Sequence, residues 1–127
     1  MKRIKIFISS VQSEFAQERE MLCQYIRTDA LLGKFFEPFI FEDVPANEYP
    51  ANHVYLREVE LCDIYLGLFG NLYGYEDIEG VSPTEREYDL AATLHKSRLI
   101  YIKAINENER HPKETALIRK VEQDIVR

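Results

Sequence analysis

The chain has 127 residues, 46% of them hydrophobic and 30% charged, with a formal net charge of −6 at pH 7. That length suits one domain able to bury a core without staples. The acidic balance argues against a broad anionic-membrane surface, and no direct nucleic-acid binding is expected. Cys23 and Cys62 sit in apolar, helix-like surroundings without CxxC or Cys/His ligand spacing. This pattern predicts buried free thiols in a reducing, cytoplasmic setting and no metal site.

In chain order, residues 3–8 are β-rich and apolar, but the run Ile6-Phe7-Ile8 is too short for a signal-peptide core or a membrane span. The serine-rich turn 9–13 then opens a helix through residue 28, with Phe15, Leu22, Tyr25 and Ile26 expected on its inward face. Residues 36–41 read as a second strand near a sheet edge, because Pro38 cannot donate to a central ladder. Residues 42–51 are a loop, and Asn52 can cap a helix through residue 61. Residues 63–70 form a third strand, nearly continuous in apolar character, as expected for a sheet buried on both faces. Its Gly67 suggests close approach by a helix. A loop over 71–81, a helix over 83–95, a strand over 99–102, a polar stretch over 106–111 and a helix from 112 to 127 complete the order.

Strand and helix alternate four times, which predicts a single α/β domain over residues 1–127. The expected fold is a parallel sheet of at least four strands in the order 2-1-3-4, with helices on both faces. Ligand sites in such sheets lie beyond the carboxyl ends of the strands. That edge gathers the Ser9-Ser10 turn, the loop after Phe41, the loop after Gly70 and the start of the helix that bears Glu87. The turn is either a plain helix cap or a contact for phosphate or carboxylate, since its free N–H groups and hydroxyls suit both. Arg19, on the edge of the inward face, is either an ion-pair partner or a steering cation. Gly70 and Gly74 permit tight turns. Tyr73 and Tyr75 can either wall a base or pack over the loop.

Ser82-Pro83-Thr84-Glu85-Arg86-Glu87 carries the sharpest signal. Ser82 reads as an N-cap, Pro83 as the first helical residue, and Glu85 as the acid whose side chain returns to the cap N–H. Glu87 instead leads the series Glu87, Leu90, Ala91, Leu94, which shares one apolar face. An acid there points into the core or a cleft, and burial of an unpaired charge is costly enough to suggest a function. His53, His95 and His111 are dispersed and adjoin no nucleophile motif, so a triad hydrolase is not supported.

Ile6-Phe7-Ile8-Ser9-Ser10, Gln17-Glu18-Arg19, Leu56-Arg57-Glu58, the segment 62–70, Tyr73-Gly74 and the segment 82–91 together resemble the domain of unknown function 4062 family. That family is TIR-like, related to TIR NAD glycohydrolases and nucleoside deoxyribosyltransferases. The resemblance implies a three-layer, flavodoxin-like fold standing at the N-terminus of a longer protein, with a fifth strand expected beyond residue 127. It also implies NAD or a nucleotide as ligand rather than a bound cofactor. Glu87, followed four residues later by Ala91, matches the glutamate that these relatives use against an N-glycosidic bond. Their aspartate-glycine element is replaced here by Ser82-Pro83-Thr84, and Arg86 stands next to the acid, which argues against transferase activity. The implied ligand contacts are Ser9, Ser10, Arg19, Gly70, Tyr73 and Tyr75. The implied partners are C-terminal effector domains and a second copy of the chain, and a noncatalytic signalling module is the competing implication.

Overall fold

A computed structural model describes residues 2–40, 51–104 and 107–125, with the side chains of residues 51–55, 107 and 125 left aside. The predicted strand end at Phe41, the loop through Pro50, the capping side chain of Asn52, Asn106 and the last two residues lie outside that description.

Four strands, β1 (Ile4–Ser9), β2 (Phe36–Phe39), β3 (Ile64–Phe69) and β4 (Ser97–Ile102), form one sheet in the order β2-β1-β3-β4. Every pairing is parallel. The helices are α1 (Gln12–Thr28), α2 (Leu32–Phe35), α3 (Ala51–Leu61), α4 (Pro83–Thr93) and α5 (Pro112–Ile125). They cover both faces of the sheet, because the strand period of two sends alternate apolar residues to opposite sides. Phe7, Tyr65 and Phe69 join Val59, Tyr88, Ala91, Leu117 and Val121 in one core. Ile6, Ile8 and Leu66 join Cys23 and Ile26 in the other. The two cysteines are therefore buried on opposite sides of the sheet and not joined in a disulfide. Burial raises the Cys62 thiol pKa, which keeps it in the unreactive protonated form.

Three local readings need correction. Tyr25 is exposed, and the inward face of α1 is instead Phe15, Arg19, Cys23 and Ile26. An arginine at the centre of that face hides its period from a hydrophobic count. The space at Gly67 is filled by the sheet's own rings and not by a helix. A Cβ there would stand 3.0 Å from both Tyr65 Cε1 and Phe69 Cε2, and 3.2 Å from Ile100 Cδ1. The short helix α2 was not anticipated. Asp29 initiates it, its carboxylate accepting from the N–H groups of Leu31 (2.9 Å) and Leu32 (2.8 Å). Among the described residues, no helix is long and apolar enough to cross a membrane.

Candidate functional site

β1 ends at Ser9, and α1 begins three residues later, so the connecting turn sits at the carboxyl end of the sheet. The start of α4 comes beside it. Ser82 caps that helix by accepting from the Glu85 N–H at 3.2 Å, with Pro83 at its first turn. Ser82→Ala should lower stability by about 1 kcal/mol, measured as a shift in the denaturant midpoint at unchanged slope; an unmoved midpoint would show that the cap contributes nothing.

The two acids of this helix have different partners. The Glu85 side chain does not return to the cap N–H as expected. The Tyr73 hydroxyl stands between them, donating to Glu85 Oε1 at 2.5 Å and accepting from the Ser82 N–H at 3.3 Å. Lys120 holds the other oxygen of Glu85. Burial raises the Glu85 pKa, but Lys120 and Tyr73 outweigh it and leave the group below the usual carboxylate value.

Glu87, one half-turn further on, is buried, and its Oε1 accepts a 2.7 Å hydrogen bond from the Ser9 hydroxyl. Burial drives its pKa from the ordinary 4.5 up to about 8, against the opposing pull of the Ser9 hydrogen bond and the Arg19 charge. At neutral pH Glu85 is thus a carboxylate and Glu87 mainly a carboxylic acid. Arg86 points away from Glu87, with its guanidinium on Asp77 and Glu79.

Arg19 is also buried and reaches the same turn. Its Nη1 donates to Ser10 Oγ at 2.9 Å and to the Ile8 carbonyl at 3.3 Å. A cavity of about 310 Å³ opens between the start of α1 and the start of α4. Ser10, Gln12, Ser13 and Arg19 line one side, and Gly74, Tyr75, Thr84 and Glu87 line the other. A larger hollow of about 400 Å³ lies at the other end of the sheet, around Arg3, Lys5, Arg27 and Glu58, away from this chemistry.

The loop over residues 70–81 is pinned from several directions. Glu14 of α1 accepts from the N–H groups of Asn71 (2.7 Å) and Leu72 (2.9 Å), while Asp77 accepts from those of Glu79 (2.9 Å) and Val81 (3.0 Å). Lys113 holds Glu76 and the Gly80 carbonyl. Gly74, at φ 92°, supplies the left-handed turn that presents Tyr75 at the cavity mouth.

Of the residues singled out in the sequence, Ser10, Arg19, Tyr75 and Glu87 line this cavity, and Ser9 lies beneath Glu87. Gly70 and Tyr73 are not in the lining. Gly70 packs against the Glu14 carboxylate, and Tyr73 is buried and stacked on His111 at 5.7 Å. Sequence reasoning missed Glu14, whose partners are 57 and 58 residues away, and Tyr65, whose phenol is fully buried beside Ser9. It also missed Glu114, which is buried near Gly70 and pushed up to about 8 by burial. Among the described residues, no group of three or more His, Cys, Asp or Glu side chains could hold a metal ion.

Several solved structures share the fold. A 2-desoxiribosyltransferase from Leishmania mexicana aligns with a TM-score of 0.57 at 19% identity, covering 78% of this chain and 64% of that enzyme. The chain thus spans just under two thirds of the enzyme's length. A CMP N-glycosidase from Clostridium botulinum aligns with a TM-score of 0.51 at 12% identity, covering 94% and 98% respectively. At these identities the likeness concerns the fold alone. A search of curated proteins found no match. The model of one family matches residues 5–127, nearly the whole sequence, and the chain belongs to that family, described as Domain of unknown function (DUF4062).

Proposed function

We propose that this chain is a TIR-like nucleotide-recognition domain that binds NAD or another nucleoside-bearing ligand in the Glu87 cavity and cleaves its N-glycosidic bond, as sensor or effector module of a longer protein. The observation that carries the proposal is Glu87 itself: a buried acid, opening on a cavity, held by Ser9 and raised to about 8. Groups perturbed in this way within a cleft are functional-site candidates on physical grounds. The fold shared with a deoxyribosyltransferase and an N-glycosidase supports the choice of chemistry by analogy.

In such a cleavage the bond between C1′ and the base nitrogen breaks, its electron pair leaves with the base, and positive charge builds on the ribose. An ionised Glu87 can stabilise that charge or attack C1′. Water then bonds to C1′, displacing Glu87 where it has attacked and giving up a proton to the departed base or the solvent. The start of α1 beside Ser10 and Ser13 suits a phosphate or ribose oxygen, and Tyr75 offers a face to the base. Because Glu87 keeps its proton until about pH 8, kcat/KM should rise with pH through that value and then level. A profile that falls above pH 8 would make Glu87 a proton donor and reverse this assignment.

A noncatalytic interaction module is the second reading. Leu72, Tyr75 and Ile78 are exposed on the loop by the site, and Leu99 and Tyr101 on β4. Light-scattering mass measurements on the full-length protein test it: a concentration-dependent assembly weakened by Ile78→Asp supports it, and a strict monomer opposes it.

A further inference from the structure

We infer that Tyr65 is a positioning residue for Glu87, acting through Ser9 in a relay in which the phenol donates to Ser9 Oγ and the Ser9 hydroxyl donates to Glu87 Oε1. The inference rests on the role proposed for Glu87 and adds to it a means of favouring the ionised carboxylate.

The backbone register dictates the placement. Phe7 pairs with Tyr65 and Ser9 with Gly67, so all four stand on one face of the sheet. Gly67 offers no side chain, and the Tyr65 ring lies over it, its Cε1 3.0 Å from where a Cβ would be. The ring therefore runs along the strand toward Ser9. Stacking on Phe7 at 6.3 Å and an edge contact with Tyr88 at 5.9 Å hold it there. The phenol oxygen is buried and makes no well-formed hydrogen bond among the described residues, although the Ser9 hydroxyl stands near enough to pull its pKa down.

An unpaired buried hydroxyl is destabilising, so packing alone favours phenylalanine at this position. Ser9 is the polar side chain beside the phenol. Its one hydroxyl hydrogen is given to Glu87, but its lone pairs can still accept. A small tilt of the ring or a turn of the serine closes the relay, and the gain is greatest once Glu87 carries charge, since charge-assisted bonds are the stronger ones. Burial, opposed by the Ser9 hydrogen bond and reinforced by the charges of Glu87, Tyr88 and Glu114, holds the Tyr65 phenol well above its ordinary value, so it stays protonated and keeps a hydrogen to donate. Arg19 acts on Glu87 from the α1 side and does not depend on Tyr65.

The experiment is a carbon-13 NMR titration of the Glu87 carboxyl in the full-length protein, with kcat/KM followed over the same pH range. In Tyr65→Phe the Glu87 midpoint should rise by about one pH unit, and kcat/KM at pH 7 should fall about tenfold and recover at high pH. Fluorotyrosine at position 65, a stronger donor of the same shape, should move the midpoint the other way. A midpoint unmoved by either change would overturn the inference and leave Tyr65 a packing residue. The titration needs no turnover, so a protein that cleaves nothing would count against the cleavage reading while the midpoint still decides Tyr65.

Discussion

Glu87→Gln is expected to keep the fold and the ligand while lowering N-glycosidic cleavage by at least about a hundredfold, the scale of losing one group aimed at transition-state charge. The amide is nearly isosteric, and its carbonyl can accept the Ser9 hydrogen bond that the carboxyl accepts now. It cannot become an anion, so the charge growing on the ribose goes unbalanced. The loss should appear in kcat with KM little changed, because the missing interaction belongs to the transition state. Steady-state release of free base, followed by chromatography, measures it. Equal turnover by both forms would reject Glu87 as the catalytic group.

Stability should fall between about pH 4.5 and pH 8, with Glu87 and Glu114 responsible. Both carboxyls are raised from 4.5 to about 8 in the folded chain, chiefly by burial. Within that window the native state holds protons that the unfolded chain has released, so rising pH favours unfolding. Below the window both states are protonated, and above it the penalty is complete. At about 1.4 kcal/mol per pH unit, each group contributes at most about 5 kcal/mol. Glu87→Gln and Glu114→Gln should each remove part of this slope and raise the melting temperature at pH 8.5 by several degrees, while changing little at pH 4. A melting temperature that is flat from pH 5 to 8 in the parent protein would contradict the assignment. The stabilising effect of Glu87→Gln would also mark the acid as retained for function against the interest of the fold.

The fold was legible because it depends on local signals. Apolar strands alternating with amphipathic helices force parallel crossovers, and the Ser82-Pro83 start fixes which residues of α4 turn inward. Glu87 could be placed on that inward face from spacing alone. Contacts between elements were not legible in the same way. Nothing in the spacing around Glu85 shows that Tyr73 would stand between its carboxylate and the cap, since that depends on how the loop folds back. Arg19 broke the apolar period of α1 by lying at its centre, where Ser10 and the Ile8 carbonyl take its guanidinium. Tyr65 looked like one more large residue in a buried strand. Its position over Gly67 and beside Ser9 emerges only when the β1–β3 register is known.

The most direct measurement of the central claim is calorimetry of the full-length protein with NAD, a nucleoside and a nucleoside monophosphate, comparing the parent protein with Ser13→Trp. Ser13 is exposed at the start of α1 and lines the cavity, so an indole there fills the mouth without disturbing the core. The account predicts that at least one of the three ligands binds the parent protein and that Ser13→Trp abolishes that binding with the fold intact. Binding of equal strength to both proteins, or no binding of any of the three to the parent, would contradict it.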